Sequence, residues 1–324
     1  MSTNLLEIKD LKKHFPIKGG FLGRTINKVY AVDGVSFNVK PGETVGLVGE
    51  SGCGKSTLGR AILRLHEPTS GSVKFEGQEI TGLDVSEMRK LRRDMQIIFQ
   101  DPFSSLNPRM NVRGILAEPF KIHNMGTKTE INKKIDDLLE VVGLPNEAAD
   151  RYPHEFSGGQ RQRIGIARSI ALNPKLIIAD EPVSALDVSI QSQILNLLTD
   201  LRSKMGLSYI FIAHDLAVIE HISDSVAVMY LGKIVEYASG DDLYAKPTHP
   251  YTRALIDAIP EPVINRNKKR EILIGDVPSP IHPPSGCHFH PRCPIATEKC
   301  KSVRPELTNR ASVAKPHWVS CHNA

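Results

Sequence analysis

The sequence predicts an α/β fold on a parallel sheet, with an antiparallel β subdomain at the N-terminus, a helical subdomain and a small C-terminal module. Three observations predict it. From Thr44 onward, apolar runs of strand length end in Gly-rich or acidic loops and lead into helical stretches, the alternation of parallel α/β construction. Before them, the first forty residues alternate apolar and polar (Leu6, Ile8; then Val35, Phe37, Val39). These read as short antiparallel strands, with Val29-Tyr30-Ala31 as a third. After about residue 240, Pro-rich loops enclose one helix and lead to four of the five cysteines.

Taken in order, core strands are expected at residues 44–48, 95–99, 176–179 and 209–213. Between the second and third lies a helix-rich stretch with helices at 110–122 and 130–142. In the latter, Ile131, Ile135, Leu138, Leu139 and Val142 recur at helical spacing. Residues 226–230 and 233–237 bracket Leu231-Gly232 and read as a hairpin. The expected domains are 1–240, carrying the helical subdomain at about 101–160, and 241–324, built around a helix at 251–258 and the cysteines.

Composition narrows the function classes. The 324 residues suffice for one large domain with an appendage, and 40% apolar with 24% charged residues allows a sizeable core. No apolar run reaches the length of a membrane span, and the stretch from Met1 lacks the basic start and apolar run of a signal peptide. The expected place of action is therefore the cytosolic side. A formal charge of +5 is too small and dispersed to argue for nucleic acid as a partner.

Gly49, Glu50, Ser51, Gly52, Cys53, Gly54, Lys55 and Ser56 match the phosphate-loop pattern between an expected strand and a helix at 57–65 that opens with Thr57. Such glycines let backbone amides curl around a β-phosphate, while Lys55 reaches the β- and γ-phosphates and Ser56 places its hydroxyl on Mg2+. Cys53 reads as a small loop filler. Residues 176–181 form an apolar strand ending in Asp180 and Glu181, and open α/β sheets bind ligands at the carboxyl ends of their strands. Asp180 would hold Mg2+ through water, and Glu181 would polarise an attacking water. Phe156 precedes Ser157, Gly158, Gly159 and Gln160, which open a helix at 161–172 and offer a second anion-type helix start. One phosphate loop suffices for ATP, so the second must serve something else.

Phe-Ser-Gly-Gly-Gln resembles the signature by which one ABC ATPase closes over ATP held on its partner's phosphate loop. The resemblance implies an ABC-type P-loop NTPase core. It makes Gln100 the Q-loop glutamine on metal and attacking water, Asp187, at the end of Ser-Ala-Leu-Asp, part of the D-loop, and His214 the switch histidine on the γ-phosphate. For the aromatic that stacks on adenine, Phe15 fits best by position and Tyr30 second. The segments Gln100 to Arg109, Tyr152 to Phe156 and His249 to Arg253 resemble the dipeptide and oligopeptide importer branch.

Cys287, Cys293, Cys300 and Cys321 lack the tight pairs of zinc ribbons, and by themselves leave iron–sulfur, zinc or unligated thiols open. Ser285-Gly-Cys287 and Arg292-Cys-Pro294 resemble the importer tail, which implies a 4Fe-4S cluster. His288, His290 and His322 are neighbours that could substitute as ligands but read first as surface residues. The resemblance further implies ATP and Mg2+ as ligands, a second ABC ATPase subunit, two membrane permease subunits and, indirectly, an extracytoplasmic peptide-binding protein. It also implies a peripheral position on the cytoplasmic face of the membrane. Competing expectations are a soluble ABC ATPase acting on nucleic acid or ribosomes, and an importer ATPase for nickel or sugars.

Overall fold

The computed structural model describes residues 4–19, 24–259, 273, 275–310 and 316–324. Its first strands, β1 (Leu6–Gly19) and β2 (Arg24–Val39), are far longer than the alternation suggested. The separate strand expected at Val29-Tyr30-Ala31 is the middle of β2. The cause is local: the β1–β2 register shifts between Ile8 and Leu11, Leu11 and Lys12, Lys13 and His14, and Ile17 and Lys18. Each irregularity breaks the period-2 pattern that marks a strand in sequence.

There follow β3 (Thr44–Val48), α1 (Lys55–Ile62), β4 (Ser70–Phe75) and β5 (Gln78–Glu79). Next come α2 (Val85–Leu91), β6 (Met95–Ile98), α3 (Val112–Ile122), α4 (Lys128–Val141), α5 (Gly158–Ile170), β7 (Leu176–Asp180), α6 (Val188–Met205) and β8 (Ser208–Ala213). The chain closes with α7 (Leu216–Ile222), β9 (Ser225–Tyr230), β10 (Lys233–Ser239), α8 (Gly240–Ala245), α9 (Pro250–Asp257), α10 (Glu298–Ser302), β11 (Thr308–Asn309) and β12 (Trp318–Val319). Two compact units divide these elements: Met1–Val39, Thr44–Thr81 and Ala213–Ala324 form one, Lys40–Glu43 and Gly82–Ile212 the other.

In the first unit, β2, β1, β4 and β5 pair antiparallel in that order. A second run follows the order β11, β12, β10, β9, β3, with β3 parallel to β9 and the other pairs antiparallel. All five residues of β3 are buried, which is why it reads as an unbroken apolar run. The C-terminal segment belongs to this unit. Glu236 of β10, fully buried, accepts the Thr248 N–H at 2.7 Å and the His249 N–H at 2.9 Å, and His317 Nε2 lies 2.6 Å from it. One carboxylate thus ties β10 to the start of α9 and to the tail. Tyr230, Tyr251 and Phe289 pack edge-on or tilted, with centroids 4.8 to 5.4 Å apart, and His249 joins Phe289 at 5.5 Å.

In the second unit, β8, β7 and β6 pair in parallel. Between β6 and β7 the expected helices appear as α3 and α4. Thr127 and Glu130 form a capping box that starts α4 two residues before the expected point. Helix α6, not foreseen, buries Ile194, Leu195, Leu198 and Leu201 and ends at Gly206 in a left-handed conformation. Among the described residues no helix is long and apolar enough to cross a membrane.

His249 has 1% exposure, and its Nδ1 accepts the Tyr251 N–H at 3.1 Å, which requires the neutral ring. Burial first, then the Arg253 charge, push its pKa from 6.5 down to about 3. The unfolded chain therefore binds more protons than the folded one across that window, so the stabilisation is complete above about pH 6.5 and is lost as pH falls. Between pH 7 and 5 the loss is about 2 kcal/mol. Thermal unfolding of the wild type should be less favourable to the fold at pH 5, and His249→Asn, which keeps an acceptor but does not titrate, should flatten that slope. Equal slopes would refute the assignment.

Candidate functional site

In the first unit, Gly49 to Ser56 leave the carboxyl end of β3 and turn into α1. Two glycines are there for space. A Cβ on Gly54 (φ +105°) would run into the Ala31 carbonyl of β2, and one on Gly49 into the Met229 carbonyl of β9. Gly54 is also the N-cap of α1 and brings no side-chain acceptor, the arrangement in which a helix start takes an anion. Lys55, 4% exposed, directs Nζ to the carbonyls of Gly49 at 2.7 Å and Glu50 at 3.1 Å. Ser51 and Gly52 are exposed, and Ser56 and Thr57 half-buried at the head of α1. Cys53 is buried, and burial pushes its thiol pKa up, in keeping with a loop filler.

Glu50 is held at three points. Its N–H donates to the Tyr251 hydroxyl at 2.8 Å, its carbonyl takes Lys55, and its carboxylate receives both Arg292 Nη atoms at 2.6 and 3.0 Å. Sequence reasoning missed Arg292 and Tyr251 as neighbours of the loop. Both stood in segments singled out for other reasons, but partners some two hundred residues apart leave no local pattern.

Also in the first unit, His214 is exposed directly after β8, ahead of Asp215, which caps α7 by accepting the Ala217 N–H at 2.8 Å. Phe15 and Tyr30 are both half-buried. In the β1–β2 register His14 faces Tyr30 and Phe15 faces Val29, so the two aromatics lie on opposite faces and cannot stack on one base. Phe15 packs edge-on to His66 at 5.5 Å, and Tyr30 edge-on to His14 at 4.6 Å.

In the second unit, β7 ends in Asp180, 1% exposed, and Glu181 follows with φ +47°. A non-glycine residue in left-handed conformation is held by its surroundings: the Glu181 N–H donates to the Ile212 carbonyl at 3.0 Å, and Ser184 Oγ donates to the Glu181 carbonyl at 3.1 Å. Gln100 Nε2 donates to Glu181 Oε2 at 2.9 Å, bringing two expected site residues together. Ser157 caps α5 in a reciprocal box with Gln160, at 3.4 and 3.1 Å. Gly159 lies against Ile190 and Gly158 against Leu186, residues flanking the exposed Asp187, so these glycines serve close packing as well as an open helix start. The Arg161 guanidinium stacks over the exposed Phe103 ring at 3.8 Å, a contact the sequence did not suggest.

The four tail cysteines lie within electrostatic reach of one another. Backbone N–H groups of Phe289, Ile295 and Asn323 point at the sulfurs of Cys287, Cys293 and Cys321, each two residues on. The Cys287 N–H donates to the Cys300 carbonyl at 2.8 Å, and Asn323 reaches both Cys321 and Cys300 sulfurs, at 3.4 and 3.8 Å. Burial pushes the Cys287 thiol up to about 11. Among the described residues, however, no group of three or more His, Cys, Asp or Glu side chains is placed to hold a single metal ion. The expected metal-binding module is thus not present as a closed ion site. His288 is corrected too: it is buried, with Arg304 Nη2 2.9 Å from its Nε2, while His290 and His322 ring nitrogens face backbone carbonyls.

A family model described as "ABC transporter" matches residues 32–184, and one described as "Oligopeptide/dipeptide transporter, C-terminal region" matches residues 235–300. The oligopeptide transport ATP-binding protein AppF of Bacillus subtilis is 54% identical over 98% of this chain and 97% of its own length. The chain belongs to the ABC transporter ATP-binding family. A probable peptide ABC transporter ATP-binding protein of Sinorhizobium fredii, y4tS, is 53% identical over 99% of this chain and 90% of its own length. Among solved structures, a dimeric post-hydrolysis form of the ATP-binding cassette MJ0796, bound to ADP and Pi, matches with TM-score 0.64 at 30% identity. It covers 72% of this chain and 98% of that chain. The fold is accordingly that of an ABC ATPase, an enzyme family that hydrolyses ATP to power transport.

In an ABC ATPase with this loop, Gly54→Ala should set a methyl against the Ala31 carbonyl at a φ that L residues avoid. The expected result is a loss of a few kcal/mol in stability together with lost nucleotide binding. An alanine variant with unchanged melting and nucleotide affinity would refute this role of the close approach.

Proposed function

We propose that this chain is the ATP-hydrolysing motor subunit of an importer for dipeptides or oligopeptides, in which ATP binding closes a pair of ATPase subunits and hydrolysis reopens it. The observation that carries the reading is the Gln100–Glu181 pair, with Glu181 directly following the buried Asp180, on a chain alike along nearly its whole length to peptide-transport ATPases. The proposed division is an ATPase domain of residues 1–240, with its helical subdomain at about 101–160, and an importer extension of 241–324.

Each side chain has a distinct task. The amides of the loop and of the α1 start receive the β-phosphate, and Lys55 leaves its carbonyl partners for phosphate oxygens. Glu181 orients and polarises the attacking water, with Gln100 fixing the carboxylate's position, and His214 meets the γ-phosphate. Phe15 or Tyr30 packs on the adenine. Ser157, Gly158, Gly159, Gln160 and Asp187 serve the nucleotide bound by the partner subunit. Ser56, Asp180 and Gln100 are oxygen donors of the kind Mg2+ takes, and the ion would neutralise charge on the transferred phosphoryl group.

For the tail thiols the reading is a 4Fe-4S cluster, on the likeness of residues 235–300 to the C-terminal region of oligopeptide and dipeptide transporters. Four cysteines in electrostatic reach of one another, three of them receiving backbone N–H groups, offer the thiolates that such a cluster takes. The cluster would cross-link the tail. Zinc is the alternative. Partners would be a second ABC ATPase, the same or different, two permease subunits at the cytoplasmic face of the membrane, and a peptide-binding protein beyond it.

Three measurements test these readings. Cells lacking this subunit should lose uptake of labelled peptide and regain it with the wild-type chain. Glu181→Gln should bind ATP yet lose turnover by about 10²-fold or more and restore no uptake. Normal turnover in that variant would sink the water-polarising role, and normal peptide uptake without the subunit would sink the cargo. For the tail, protein purified without oxygen should carry about four irons and as many acid-labile sulfides; one zinc with no iron would overturn the cluster.

A further inference from the structure

A phosphate loop is built to receive anions, yet Glu50 puts a carboxylate in its second position. Left alone, that charge would oppose every phosphate entering the loop, because like charges at close range in a partly desolvated site repel strongly. The structure answers it with one residue. Arg292 lies between Cys287 and Cys293, its side chain is only 6% exposed, and its two Nη atoms grip the Glu50 carboxylate at 2.6 and 3.0 Å. The fork is itself held in place: the guanidinium stands 6.0 Å from the Tyr230 ring centre, and Phe289, three residues earlier, is buried against Tyr230 and Tyr251. Tyr251 in turn takes the Glu50 N–H. The backbone of Glu50 is therefore fixed from α9, and its charge is cancelled from the cysteine-bearing tail.

We propose that Arg292 neutralises Glu50 and draws its carboxylate out of the phosphate loop, so that nucleotide binding there requires the segment between Cys287 and Cys293 to be in place. The proposal rests on the nucleotide reading given above and adds to it a dependence of the loop on the tail. Arg292 is a positioning residue: it acts on phosphate through Glu50. The bidentate geometry favours arginine, but the compensation needs only a cation at that place.

The test is the affinity of the full-length protein for a fluorescent ATP analogue with Mg2+, together with KM, kcat, melting temperature and iron content for each variant. Arg292→Met should weaken analogue binding and raise KM roughly tenfold, with kcat at saturation changed far less. The decisive variant is Arg292→Met combined with Glu50→Gln: removing the carboxylate as well should restore affinity to within about threefold of wild type. Arg292→Lys, which keeps the charge and loses the fork, should bind nearly as well as wild type. Undiminished binding in Arg292→Met, or a double variant as weak as the single, would overturn the proposal. So would Arg292→Lys as weak as Arg292→Met, since loss of packing or of iron alone would then explain the defect. If Arg292→Met fails to fold, the lysine and double variants still decide. Failure of the wild-type protein to bind the analogue would instead sink the nucleotide reading.

Discussion

An ammonium taken out of water must be surrounded by oxygens, and in this chain that requirement falls on Lys55, 4% exposed at the head of α1. The oxygens come from the loop's own backbone, the carbonyls of Gly49 and Glu50. They can point inward only because the loop is curled tightly, and it can curl only where Gly49 and Gly54 let the backbone pass beneath the carbonyls of Met229 and Ala31. A single buried charge thus bears on the shape of the loop, the identity of two glycines and the close approach of the loop to β2 and β9. The same carbonyls are weaker partners than phosphate oxygens, so the cage that stabilises Lys55 can also release it.

Tension of a different kind is stored in the other unit. Glu181 holds a backbone conformation that costs a non-glycine residue on the order of 1–3 kcal/mol. Its N–H is tied to β8 and its carbonyl to Ser184, so the strain is imposed by the sheet and the turn that follows. The consequence is directional. A residue continuing the strand normally would alternate faces with Asp180, whereas the left-handed turn re-aims the carboxylate towards Gln100.

Much of this was legible in sequence where burial is uniform. Strands β3, β7 and β8 are buried at every position and appear as plain apolar runs, and the phosphate loop and Ser157–Gln160 announce themselves by glycine placement. Where the pattern was interrupted, sequence misled. Bulges hid the length of β1 and β2, and α6 opens with exposed turns, Val188 among them at 78%, so its apolar face begins only at Ile194. Candidate site residues could be named from the sequence, but the ties among them could not. Glu50 and Arg292 are 242 positions apart, and no period or spacing connects an acid in one loop to a base in another. Likewise His249 and Tyr251 were visible only as part of a family segment. The structure gives their physical reason: one is a neutral buried cap, and the other hydrogen-bonds the loop.

The tail's composition explains why cysteines belong there. From residue 275 on, the described regular elements are the five residues of α10, a three-residue helical turn at His290–Arg292 and two strands of two residues each. Little apolar surface is buried along this stretch: Phe289, Cys300 and Val319 are its buried hydrophobic residues. Ordering so many loop residues costs more conformational entropy than three such side chains return. A coordinate tie among distant points, of the kind proposed for the four thiols, would offset that deficit by restricting the unfolded chain. Burial raises the Cys287 thiol pKa and so favours its neutral form, and a cation bound there would favour the thiolate instead. Closing such a tie would fix residues 287 to 293 as a unit, and with them the guanidinium that grips Glu50.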